Sequence, residues 1–190
     1  LGGFRYDPAV YHSLNALVIK TDSLGNEEWT KTFGNPNVYD DMAHVALTDD
    51  GNYLMATVYG EWIIAPGART GRIFLVKIDS DGNTIWSNKI GPKRMEIYMK
   101  NLSSTNDGNL IASSFFMDDT TSDYPYIGNL YKFTQEGDSI WMRDYYYYNN
   151  QYDWNMLYDV YPCSDKGHIG VVLARPDIGT EKLWIIKVDS

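Results

Sequence analysis

Four segments of this chain share one internal spacing. They are "ALVIKTDSLGNEEW" (16–29), "IFLVKIDSDGNTIW" (73–86), "NLYKFTQEGDSIW" (129–141) and "LWIIKVDS" (183–190). Their lysines, Lys20, Lys77, Lys132 and Lys187, fall 57, 55 and 55 residues apart. In the first three a glycine follows five residues after the lysine (Gly25, Gly82, Gly137) and a tryptophan nine after it (Trp29, Trp86, Trp141). A second motif fills the gaps. "HVALTDDGNYLMATVYG" (44–60) matches "KNLSSTNDGNLIASSFF" (100–116), with "DVYPCSDKGHIGVVLA" (159–174) as a looser third copy. Each segment reads as a strand, a tight turn built on Asp-Gly or a related pair, and a second strand, the strongest short-range hairpin signal.

Two hairpins per period and no helical periodicity describe four antiparallel strands repeated every 55–57 residues. That pattern predicts an all-β chain, a β-propeller segment of four-stranded antiparallel blades. The expected units are strands within 1–33, a blade over 42–89, a blade over 97–143 and an incomplete blade over 157–190. Both ends fall inside a repeat, and a propeller closes with typically 4–8 blades. The expectation is therefore a piece of a longer protein, with further blades or a partner chain completing the ring.

The oxygen-rich run Asp79-Ser80-Asp81-Gly82-Asn83 invites a calcium reading, and its copies argue against it. Asp79 aligns with Asp22 but with Thr134, and Asp81 aligns with Leu24 and Glu136. Only the glycine persists, which is what a turn needing positive φ demands. The recurring tryptophans are expected to fill the seams between blades. Gly25, Trp29, Gly82, Trp86, Gly137 and Trp141 are thus structural repeat positions.

Lys-x-Asp-Ser-x-Gly-Asn-x-x-Trp followed by Asp-Gly-Asn-Tyr-Leu resembles the β-propeller repeats of large secreted and cell-surface proteins of the Bacteroidota, many exported by type IX secretion. The turn before each tryptophan also resembles the tryptophan-docking motif of quinoprotein propellers, one residue shorter between Asp and Gly. The resemblance spans essentially the whole chain. It implies a propeller fold and export; nothing in these residues supports a quinone cofactor, and none is expected. The third copy departs from it at Thr134 and at Lys166-Gly167-His168.

A formal charge of −9 disfavours nucleic acid and anionic membrane faces as partners, and no apolar run approaches the ~20 residues that span a bilayer. Cys163 is the sole cysteine, so neither an intrachain disulfide nor a zinc site built on several cysteines can form. His12, His44 and His168 lack metal-ligand spacing, and no nucleophile elbow or phosphate loop appears. No catalytic, metal or cofactor residue is assigned. The acidic pairs Asp40-Asp41 and Asp118-Asp119 read as solvated loop charge.

The turns within hairpins are short, while the connections near 35–41, 60–72, 91–96, 117–128 and 144–156 are long and uneven. Varied loops on a fixed scaffold carry function. Their aromatics, Trp62, Tyr124, Tyr126, Tyr146, Tyr148, Tyr152 and Trp154, form the candidate binding face. The function expected is a non-catalytic extracellular scaffold recognising protein or glycan. The alternatives are a glycan-active enzyme with acids on that face, and an accessory surface subunit of an outer-membrane uptake or secretion complex.

Overall fold

The computed structural model describes residues 1–7, 13–34, 40–62, 69–118, 125–146, 154–177 and 179–189. Among them every regular element is a strand: β1 (Gly2–Asp7), β2 (Ser13–Thr21), β3 (Glu27–Phe33), β4 (His44–Leu47), β5 (Tyr53–Trp62), β6 (Arg69–Ile78), β7 (Thr84–Ser104), β8 (Leu110–Met117), β9 (Tyr126–Phe133), β10 (Ser139–Tyr145), β11 (Trp154–Pro162), β12 (His168–Asp177) and β13 (Thr180–Val188).

The hairpin turns form through their own polar side chains. Gly82 N–H donates to the Asp79 carbonyl at 3.1 Å, and the Asp79 carboxylate accepts the backbone N–H of Asp81 (2.9 Å) and Asn83 (2.8 Å). The Asn83 backbone and side chain hold that carboxyl below its ordinary range. Its oxygens thus close an Asx turn within the hairpin. Gly25, Gly82 and Gly137 sit at φ of 87°, 83° and 86°, the left-handed region. At the 163–167 turn Lys166 occupies that region instead, at φ 68°, and its N–H bonds the Cys163 carbonyl as Gly51 N–H bonds Thr48.

The strands do not assemble into propeller blades. β1-β2-β3 make a three-stranded sheet, while β4 to β13 belong to one ten-stranded sheet, an open, curled half-barrel. Its hydrogen-bonded path runs β13-β12-β11-β9-β8-β7-β6-β5-β4, with β10 paired to β9 beside it. Two features overturn the four-strand units. Residues 91–96, expected to be a connection between blades, lie inside the 21-residue β7. Gly91-Pro92 reads as a breaker, yet the ladder steps over it. The register jumps from Ile73↔Ile90 to Gly71↔Arg94, so the proline, which has no N–H to give, falls in a bulge. Met95 then pairs with Thr70 on one side and Met117 on the other, which ties β6, β7 and β8 together. Second, β11 joins β9 in parallel through Trp154↔Tyr126. There is no ring in this fold for further blades or a partner chain to close. The propeller-based resemblance, its secretion system and the propeller recognition scaffold lose their support with it.

The curl lays successive parts of the chain face to face, and three apolar clusters result. Ala16 and Val18 of β2 pack with Met55, Val76 and Ile78. Leu54, Ile73 and Leu75 pack with Leu110, Tyr131 and Phe133. Ile111 and Leu130 pack with Leu157, Val172 and Ile186. β8 is therefore buried along nearly its whole length, on both faces, its two central serines, Ser113 and Ser114, included. Between copies, two of the three repeat tryptophans, Trp29 and Trp86, lie on the next copy's turn glycine. A Cβ on Gly82 would sit 3.0 Å from the Trp29 ring, and one on Gly137 would sit 2.7 Å from that of Trp86. Trp29 Nε1–H also donates to the Ser80 carbonyl at 2.9 Å.

The repeating lysines answer to the other hairpin. Lys77 Nζ meets Asp50 at 2.7 Å and Lys132 Nζ meets Asp107 at 2.7 Å; Lys187 pairs with Asp165. Lys20 pairs instead with Glu28 at 2.7 Å.

Candidate functional site

Of the seven aromatics expected on a binding face, the fold brings two together. Tyr126 opens β9 and Trp154 opens β11, and their parallel pairing sets the rings edge to face with centroids 5.5 Å apart. Tyr146, just past β10, is exposed. Trp62 ends β5 opposite Arg69, and its side chain lies outside the description. Tyr124, Tyr148 and Tyr152 fall outside the described residues.

Four residues that sequence reasoning passed over complete the cluster: Tyr98 and Lys100 on β7, Phe115 on β8 and Tyr158 on β11. Tyr98 and Phe115 face each other across the β7–β8 ladder, with ring centroids 5.1 Å apart. Phe115 meets Tyr126 edge-on at 5.4 Å and Tyr158 at 6.0 Å. The run Tyr98–Phe115–Tyr126–Trp154 is thus continuous across β7, β8, β9 and β11. It depends on Gly128, directly opposite Phe115, where a Cβ would stand only 3.1 Å from that of Leu157. The glycine lets β11 cross close to β9. Trp154 and Tyr158 keep 39% and 43% of their surface exposed, so the cluster opens to solvent at β11.

Lys100 points its ammonium into this cluster. Nζ lies 5.1 Å from the centre of the Phe115 ring, 5.6 Å from Tyr98 and 5.7 Å from Tyr158. Each such contact is worth about 0.5–2 kcal/mol, depending on how dry it is. Among the described residues no carboxylate lies within ion-pair distance of Lys100 Nζ. A second cation, Arg175, lies over the Trp154 ring at 4.7 Å and pairs with Glu181 at 2.9 Å.

Behind Lys100 lie Asp41 and His44, at the start of β4. Asp41 accepts the backbone N–H of Met99 at 2.7 Å and of Met42 at 2.8 Å. Burial pushes its carboxyl above the ordinary range, and burial pushes His44 below its own. Asp40 is fully buried and accepts the Gly60 N–H at 3.0 Å. The Asp40-Asp41 pair is therefore not solvated loop charge; both carboxylates tie the chain before β4 to strands β5 and β7.

A separate cleft of about 310 Å³ lies between the two sheets, lined by Val18, Thr21, Trp29, Val45, Leu47 and Tyr53 among others. The one charged side chain on its wall among the described residues, Lys20, already holds Glu28 and the Ser80 carbonyl. The aromatic cluster offers a cation and partly exposed aromatic side chains together, which makes it the better chemical site.

Among the described residues, no group of three His, Cys, Asp or Glu side chains could hold a metal ion. No family model matches this chain, and no curated protein matches it either.

Proposed function

We propose that this chain binds, without turnover, a small ligand that has a planar face and an anionic group, at the aromatic cluster around Lys100. The observation that carries the reading is the Lys100 ammonium, set among three rings, with the Asp41 carboxylate behind it but, among the described residues, no carboxylate in ion-pair contact with it. Rings satisfy a cation only in part. An anion able to reach Nζ would add a charge-assisted hydrogen bond in a partly dry setting, where such bonds are strong. The partly exposed side chains of Trp154 and Tyr158 would take the ligand's planar body. Burial on one side and exposure on the other suit entry from the β11 side.

The test is calorimetric titration with an aromatic carboxylate, compared with its neutral amide and with an aromatic amine of the same shape. The carboxylate is expected to bind, the amide more weakly and the amine least. Lys100→Met is expected to remove the preference for carboxylate, and Trp154→Ala to weaken all three. Added salt is expected to weaken the carboxylate alone. Equal binding of acid and amide, unchanged in Lys100→Met, would overturn the proposal.

A further inference from the structure

Strand β7 bulges twice beside the aromatic cluster. Its ladder to β8 passes from Met95↔Met117 to Tyr98↔Phe115, which leaves one extra residue on β7, and from Met99↔Ser114 to Asn101↔Ser113, which leaves another. A bulge re-aims the side chains around it and is over-represented next to functional sites. The second bulge leaves Lys100 without a partner in the β8 ladder. Lys100 then meets Tyr158 of β11, and the Asn101 side-chain amide donates to the Val160 carbonyl at 3.1 Å and to Asp159, so β11 holds this bulge in place.

The first bulge carries backbone strain. Glu96 stands at φ 45°, in the left-handed region, inside a strand. That conformation suits glycine and opposes a long side chain. Strain of this kind persists only where the surroundings impose it, and it gathers at binding sites. What the strained residue holds is a ring of the cluster. The Glu96 carboxylate accepts the Tyr98 hydroxyl at 2.9 Å, and Tyr98 in turn lies 5.1 Å from Phe115 and 5.6 Å from Lys100 Nζ. Strained carboxylate, ring and ammonium thus follow one another at residues 96, 98 and 100.

We propose that Glu96 is a positioning residue of the Lys100 site: its carboxylate, set by the bulge, holds the Tyr98 ring beside the Lys100 ammonium. This rests on the reading of that cluster as the place where a ligand binds. Glu96 itself touches no ligand. It fixes one wall of the site, so that the Tyr98 ring stays in place when an anion draws Lys100 outward. It also takes the Tyr98 hydroxyl proton for itself, which leaves Lys100 as the donor that the anionic group meets.

Substitutions at Glu96 test this through three readouts. By thermal unfolding, Glu96→Gly is expected to melt above Glu96→Ala, the reverse of the order at an ordinary strand position. By nuclear magnetic resonance, the Lys100 ε-methylene protons are expected to keep their upfield ring shift in Glu96→Gln, whose amide oxygen still accepts the Tyr98 hydroxyl. They are expected to lose part of it in Glu96→Ala, and in Tyr98→Phe, which keeps the ring but not its tether. By calorimetry, an aromatic carboxylate is expected to bind Glu96→Gln as it binds the wild type and Glu96→Ala several-fold more weakly. Glu96→Ala/Tyr98→Phe is expected to bind no more weakly than Glu96→Ala alone, since the two changes cut one contact. Lys100 protons at the wild-type shift in Glu96→Ala overturn the proposal, as does Glu96→Ala melting above Glu96→Gly. Tighter binding in Glu96→Gln and Glu96→Ala alike also overturns it, because Glu96 would then act by its charge. A wild-type chain that binds no carboxylate overturns the reading of the site instead, and the Lys100 shifts still decide what Glu96 holds.

Discussion

The hairpins β5–β6 and β12–β13 are built from nearly the same residues and live under opposite conditions. "IFLVKIDS" and "LWIIKVDS" end their second strands, and an Asp–Lys ion pair links the preceding turn to each. Ile73 and Leu75 are fully buried, whereas Leu183 and Ile185 face solvent. Lys77 is buried against Asp50, whereas Lys187 and Asp165 are each half in water. A strand's pattern states which face wants cover. Only the neighbouring element decides whether the cover arrives, and with it the energy each residue contributes.

The largest expected effect breaks that comparison most directly. Leu75→Ala removes a side chain packed in the central cluster and is expected to cost about 2–5 kcal/mol. Ile185→Ala, at the aligned position, is expected to change stability by no more than about 0.5 kcal/mol. Urea unfolding of both variants reads the difference. Comparable losses would mean that β13 is covered in solution.

The turn glycines sharpen the contrast between covered and uncovered copies. Gly25 and Gly137 share nearly the same φ, so an alanine at either meets the same left-handed strain of about 1–2 kcal/mol. Only Gly137 has a tryptophan on it; a Cβ at Gly25 meets nothing within 4 Å. Gly137→Ala is expected to lose about 1–3 kcal/mol more than Gly25→Ala, the usual range for overpacking. A cycle with Trp86→Ala assigns the excess, because removing the ring makes room for the methyl. Equal losses in Trp86→Ala and wild-type backgrounds would show that the ring yields freely.

These turns were the most legible part of the chain, because a turn is decided by residues four apart. Asp79, Gly82 and Asn83 make theirs without help from elsewhere, and the all-β character follows from such runs. The path of the sheet was not legible. Gly91-Pro92 carries a breaker signal that is correct locally, since the ladder skips the proline, and misleading globally, since β7 resumes the ladder beyond it. That outcome depends on β6 and β8 both reaching Met95, which no spacing in the sequence records. The candidate site divides the same way. Tyr126 and Trp154 stood out as aromatics flanking long connections. Lys100 did not, because a lysine on a strand reads as solvent-facing until three rings from β7, β8 and β11 close on it.

A smaller effect is expected at Lys166, the non-glycine residue at φ 68° where the matching turns have Gly51 and Gly108. Lys166→Gly relieves the left-handed strain but loosens the unfolded chain, so a net gain of about 0.5–1 kcal/mol is expected. The reverse change, Gly51→Lys, is expected to lose a similar amount. A neutral Lys166→Gly would mean that the 163–167 turn is held by its Asp165 contacts rather than limited by its backbone.

The smallest effect separates the two ion pairs by pH. The Lys77 ammonium, with the Thr48 hydroxyl adding to it, holds the Asp50 carboxyl far below its ordinary range. Lys187 lowers Asp165 in the same direction, with both partners half in water. A carboxyl whose folded value is depressed contributes stability that is complete above its unfolded value of about 3.9 and is lost as pH falls toward the folded value. Acid therefore erodes both contributions, and the erosion below about pH 4 is expected to be steeper for Asp50. Melting temperatures followed from neutral pH into acid should show Lys77→Met flattening the acid limb, and Lys187→Met changing it little, as exposed pairs do. If the two variants flatten the limb equally, the burial of Lys77 adds nothing to its bond with Asp50, and the contrast between the covered and uncovered hairpins rests on their apolar faces alone.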